Sequence, residues 1–182
     1  MMKKFLFLVG MGLMAISGYA HEKGDMAAGL NIGFAPCVEK GASVTNFGIG
    51  AKYQYNITNP IRLEADLEYW FKAKGIDVFD ITANVQYLFT FGKLTAYPTL
   101  GIGYGHLGGG FGGDFDFDWG DFYTRSSSDD FGSSSASRFV FNIGVGAEYA
   151  ITDKISAGLE IKYQYMKDFS RLPITIGATY KF

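Results

Sequence analysis

Between Ile61 and Phe71 the chain reads Ile-Arg-Leu-Glu-Ala-Asp-Leu-Glu-Tyr-Trp-Phe, a strict alternation of apolar and charged residues. Side chains of a β-strand point alternately to opposite faces, so Ile61, Leu63, Ala65, Leu67 and Tyr69 share one face, and Arg62, Glu64, Asp66 and Glu68 share the other. On a helix the same residues would be scattered around the axis, so the segment has to be extended. It also has to sit between two different media, one that accepts hydrocarbon and one that accepts charge. A single strand does not say which of them is inside. An apolar interior gives a soluble barrel that holds a ligand, and a charged interior gives a barrel set in lipid.

The rest of the chain decides between these. The alternating pattern recurs in eight segments, at Asp25–Ala35, Thr45–Tyr55, Ile61–Phe71, Val78–Phe91, Leu94–His106, Arg138–Ala150, Lys154–Met166 and Leu172–Phe182. Each is near or above the roughly 9–11 residues that a tilted membrane strand requires. Their connections alternate in character. Asn56–Pro60, Gly92-Lys93 and Ile151–Lys154 are short and rich in turn formers, whereas Pro36–Val44, Lys72–Asp77, Leu107–Ser137 and Lys167–Arg171 are longer or more polar. Along the apolar faces, such as Phe79-Ile81-Ala83-Val85-Tyr87 and Phe139-Phe141-Ile143-Val145-Ala147-Tyr149, aromatics gather at strand ends and aliphatics at the middles. Rings at the headgroup level and branched aliphatics in hydrocarbon produce this distribution. The sequence therefore predicts an all-β protein, a closed antiparallel eight-stranded transmembrane β-barrel with its apolar faces outward and its short turns on the periplasmic side.

The opposite faces then line the lumen. They carry Lys52, Arg62, Glu64, Asp66, Glu68, Asp80, Arg138, Glu148, Glu160 and Lys162, with Gln54, Asn84, Gln86, Asn142, Gln164 and Lys181 among them. An eight-stranded barrel is just wide enough for side chains to fill it. The expectation is a charge network that plugs the interior, with glycines such as Gly48, Gly50, Gly101, Gly103, Gly144, Gly146 and Gly177 leaving room for the long side chains. A solute channel is not expected.

Lys3-Lys4, the apolar run Phe5–Ile16 and the small-residue boundary Gly18-Tyr19-Ala20 predict a secretory signal peptide over residues 1–20, leaving 21–182 as the barrel. A formal net charge of −2, which falls by two more when Lys3 and Lys4 leave, argues against a nucleic-acid partner. Cys37 is the lone cysteine, so no intramolecular disulfide framework is available. It reads as a loop thiol.

The last strand, Ile174-Thr175-Ile176-Gly177-Ala178-Thr179-Tyr180-Lys181-Phe182, places apolar or aromatic residues at every second position up to a terminal ring. It resembles the C-terminal insertion signal of outer-membrane proteins, with Tyr180 and Phe182 as its aromatic positions. With the eight segments, the chain looks like the small OmpA/OmpX-type barrel family. The resemblance implies an integral outer-membrane location, contact with outer-membrane lipid and lipopolysaccharide, and handling by the barrel-assembly machinery. It does not fix function, because members include structural anchors, adhesins, host-factor binders and some lipid A-modifying enzymes.

The distinctive segment is the loop Leu107–Ser137, which is glycine-rich at its start and serine-rich at its end. Between these, Asp114, Asp116 and Asp118 alternate with Phe115, Phe117 and Trp119, and Asp121 and Tyr123 follow. Its aspartates face only Arg125 in opposition, and its rings suit binding anchors. Loops of this length are usually functional or disordered. The expectation is a non-enzymatic surface protein whose loop meets an external protein or ligand. The alternative is a lipid A-modifying enzyme that uses His106, which the sequence leaves without an obvious serine partner nearby. The sequence predicts no catalytic group, cofactor or metal site.

Overall fold

A computed structural model describes residues 22–38, 44–73, 76–108, 136–167 and 169–182. The predicted signal peptide lies outside the described residues. The strands among them are β1 (Met26–Pro36), β2 (Thr45–Asn56), β3 (Ile61–Ala73), β4 (Ile76–Tyr87), β5 (Phe89–Phe91), β6 (Leu94–Gly108), β7 (Ala136–Ala150), β8 (Ile155–Met166) and β9 (Ile174–Lys181). All neighbours are antiparallel, β4 pairs with both β3 and β6, and β9 pairs with β1, so the sheet closes on itself. β5 continues β4 after a break at Leu88, which makes the ring one of eight staves, as the alternation predicts. The break has a local cause. The register runs from Gln86↔Thr99 to Phe89↔Ala96, which sets Tyr87 opposite Pro98, a residue with no N–H to give the ladder.

The short connections lie on one rim. Gly92 turns β5 into β6 with φ +62°, a left-handed conformation in which a Cβ is strained. Thr152 Oγ1 accepts the Ile155 N–H at 2.9 Å to close the β7–β8 turn. At the opposite rim, the end of the predicted loop Lys167–Arg171 is drawn into the wall. Lys162 N donates to Pro173 O and Leu172 N to Pro36 O, both at 2.9 Å, and Arg171 forms bridges with Gln164 and Cys37. Val38 N also donates to Ser170 O at 2.9 Å, so the pairing of the last strand with β1 in effect reaches back to Ser170. Arg171 thereby becomes a wall residue that points inward.

The outer wall is apolar. Leu30, Ile32, Ile49, Leu67, Leu100, Ile102, Ile143, Val145, Leu159 and Ile176 form its exposed middle band. Tyr53, Tyr55, Tyr87, Phe89, Tyr149 and Phe182 ring the turn side, and Phe34, Phe47, Phe71, Tyr104, Phe139 and Tyr165 ring the loop side. Among the described residues no helix is long and apolar enough to cross a membrane, and the membrane is crossed by strands.

Candidate functional site

Inside the ring the charged faces meet as a network. On the turn side Arg62 holds Glu148 through two bonds of 2.9 and 2.8 Å, donates from Nε to Gln86 at 2.6 Å, and lies over the Tyr97 ring at 4.9 Å. Gln54 and Gln86 each donate to Glu64 at 2.8 Å, and Lys52 adds an ion pair at 3.2 Å. At mid-lumen Lys162 sits 2.8 Å from Asp66, 2.9 Å from Glu160 and 3.8 Å from Glu68. Tyr97 donates to Glu160 at 3.0 Å and Asn84 to Asp66 at 2.9 Å. The partners belong to strands far apart in sequence, so these bonds tie opposite walls together.

Two aromatic side chains owe their places to glycines. A Cβ on Gly48 would overlap the Trp70 ring, and one on Gly146 would overlap the Tyr97 ring. The expected exchange of small residues for long neighbours is therefore present. Of the predicted lumen residues, Lys52, Arg62, Glu64, Asp66, Glu68, Asp80, Glu148, Glu160 and Lys162 are buried, while Arg138 is half-buried near the loop rim.

The loop side of the lumen differs in kind. Ala35, Trp70, Val78, Val140, Met166 and Phe169 form an apolar cluster there. Arg171, fully buried within it, bonds to Asp80 and to Gln164 Oε1 and stacks on Trp70 at 4.9 Å. Trp70 Nε1 donates to the same Asp80 at 3.1 Å. Sequence reasoning missed Arg171 because Pro173 and Ser170 interrupt the alternation around it. The turn side instead opens into a cavity of about 290 Å³, with Asn56, Arg62, Lys93, Glu148, Lys154 and Lys181 among its lining residues.

Glu64, Asp66 and Glu160 bring three carboxylates within 4.8 Å of one another. Lys52 and Lys162 already place ammonium groups against them, so the cluster is compensated by the chain's own cations.

On the outer wall His106 and Ser137 are cross-strand partners of β6 and β7, and Nδ1 and Oγ share a hydrogen bond of 3.1 Å. The strands run further into the predicted loop than the alternation shows, with Leu107 paired to Ala136. This supplies the serine that the sequence did not place. The proposed partner-binding residues Asp114, Phe115, Asp116, Phe117, Asp118, Trp119, Asp121 and Tyr123 lie outside the described residues.

A charge-filled ring with an apolar exterior has one natural setting, and the sequence comparison agrees. The family model for the outer membrane protein beta-barrel domain matches residues 5–182. The chain belongs to that family. Its place is the outer membrane, where this outer-membrane barrel is integral. Solved structures share the fold. Neisserial surface protein A (NspA) aligns with a TM-score of 0.65 at 17% identity, over 86% of this chain and 97% of that one. Ail, the attachment invasion locus protein of Yersinia pestis, solved with the heparin analogue sucrose octasulfate, aligns at 0.57 and 17% identity over 88% and 99%. The N-terminal β-barrel domain of Pseudomonas aeruginosa OprF aligns at 0.53 and 16% identity over 88% and 100%. No curated protein matches the sequence.

Proposed function

We propose that this outer-membrane barrel works at the cell surface as an interaction module, presenting the loop 107–137 to an external partner. The observation that carries the reading is the filled lumen. Ion pairs occupy it from Arg62–Glu148 to Lys162–Asp66, and the Arg171–Trp70 cluster closes its loop side. With no room left for a solute path, what such a barrel offers the outside is the loops its rigid wall holds. The sequence sets the partner's charge. Aspartates dominate 114–130 with only Arg125 against them, so a basic protein surface suits this loop better than a sulfated polyanion of the kind seen bound to Ail.

Deleting Gly113–Ser135 should leave insertion intact and abolish capture of cells on basic protein surfaces. Deletion cells that bind as wild type does would rule the loop out. Purified barrel in planar bilayers should give no stable porin-like openings, and large, steady openings from monomer would overturn the closed-lumen reading.

The His106–Ser137 bond favours a second reading, in which the barrel acts on outer-leaflet lipid. The two readings share a location, because these residues stand on the strands that enter and leave the loop.

A further inference from the structure

We propose that Ser137, His106 and Asp77 form a site on the outer wall that cleaves fatty acyl esters of outer-leaflet lipids. This deepens the second reading above and rests on it. The register Tyr69↔Phe79, Phe79↔His106 and His106↔Ser137 sets four outward side chains in one row across β3, β4, β6 and β7. Within this row the hydroxyl and the imidazole are already bonded at 3.1 Å, the relation of a nucleophile to its base.

Asp77 completes the group. It pairs with Gly108, one outward position beyond His106 on the same strand, so the carboxylate and the imidazole are diagonal neighbours. Gly108 has no side chain to separate them, and a Cβ there would come within 3.1 Å of both Asp77 oxygens. Oδ2 accepts the Tyr69 hydroxyl at 3.3 Å, whereas Oδ1 is buried with no partner among the described residues. A buried carboxylate oxygen left unbonded is costly, and an imidazole N–H is the donor that diagonal spacing offers it. A turn of the His106 ring toward Oδ1 would make that bond, and Asp77 would then act as a positioning residue that holds His106 for Ser137.

The surroundings select the substrate. Tyr104 and Phe139 flank the row on the lipid-facing surface, at the loop-side aromatic ring. Rings of this kind mark the headgroup boundary, the depth at which a lipid's ester carbonyls lie. In the step itself, Ser137 Oγ bonds to the acyl carbon while its proton passes to His106 Nδ1. The carbon–oxygen bond to the lipid's sugar or glycerol breaks, and that oxygen takes the proton from His106. Water then hydrolyses the acyl-serine ester, releasing a fatty acid and restoring the hydroxyl.

The test uses the full chain refolded into vesicles, one set containing lipopolysaccharide and the other glycerophospholipid alone, with released fatty acid read by mass spectrometry. A fluorophosphonate probe reports the reactive serine. The expected results are release from at least one vesicle type and a probe adduct on the Ser137 peptide. Both should be lost in Ser137→Ala and slowed about 100-fold in His106→Ala. The vesicle type that responds identifies the lipid. Asp77→Asn should slow turnover with little change in KM, and Asp77→Glu should recover part of it. Mobility of unheated protein on gels confirms that each variant is a folded barrel. Acyl release that survives Ser137→Ala would overturn this site yet keep the lipid-acting reading. Wild-type barrel that releases nothing from either vesicle and takes no probe would end both.

Discussion

The two ends of the lumen solve the same problem in opposite ways. On the turn side, charges remain near water. A cavity of about 290 Å³ reaches Arg62 and Glu148, so solvent can share in their hydration. On the loop side, the pair Arg171–Asp80 is enclosed by Trp70, Val78, Val140, Met166 and Phe169. A charge that water can reach tolerates the loss of its partner, and a charge sealed in hydrocarbon does not. The barrel is a stoppered vessel rather than a uniform plug, and its stopper faces the outside.

Mutations should divide along this line, with urea unfolding from vesicles as the measure. The largest effect expected is from Trp70→Ala, about 4 kcal/mol, because the ring fills the space above Gly48, donates to Asp80 and carries the Arg171 stack. Next is Asp80→Ala, about 3 kcal/mol, which leaves the Arg171 guanidinium buried without its carboxylate. Glu148→Gln on the open side should cost less, about 1–2 kcal/mol, since Gln54 and water remain beside Arg62. A loss equal to that of Asp80→Ala would erase the distinction between the two ends. Smallest is Lys181→Ala at the turn rim, about 0.5 kcal/mol, where the pair with Asp25 is 2.5 Å long but 40% and 20% exposed.

Much of the ring was legible in the sequence because alternation is a local property. Arg62, Glu64, Asp66 and Glu68 announce their shared face within one segment, and the same parity correctly puts Glu148, Glu160 and Lys162 inside. The stopper was not legible. The parity that sets Tyr69 outward turns Trp70 inward, but nothing within its segment shows that this ring meets Asp80 and Arg171. Arg171 follows a turn and precedes Pro173, where the alternation lapses. The meeting of His106 with Ser137 depends on the β6–β7 register, set by pairing across a long insertion rather than by either segment. Sequence parity tells the side of the wall, and only pairing tells the height.

The seam between β1 and β9 has a consequence in time rather than in space. Ala27 lies against Lys181 and Phe34 against Ile174, so the ring shuts through residues from the two extremes of the barrel sequence. No earlier portion of the chain can satisfy the free edge of β1. Until β9 arrives, every intermediate sheet carries two unpaired borders, which are templates for aggregation in water and intolerable in hydrocarbon. Such long-range closure is slow. The nascent barrel therefore needs its edges sheltered for as long as assembly lasts, and a change that weakens the Phe34–Ile174 end of the seam should lengthen that exposure before it alters the finished wall.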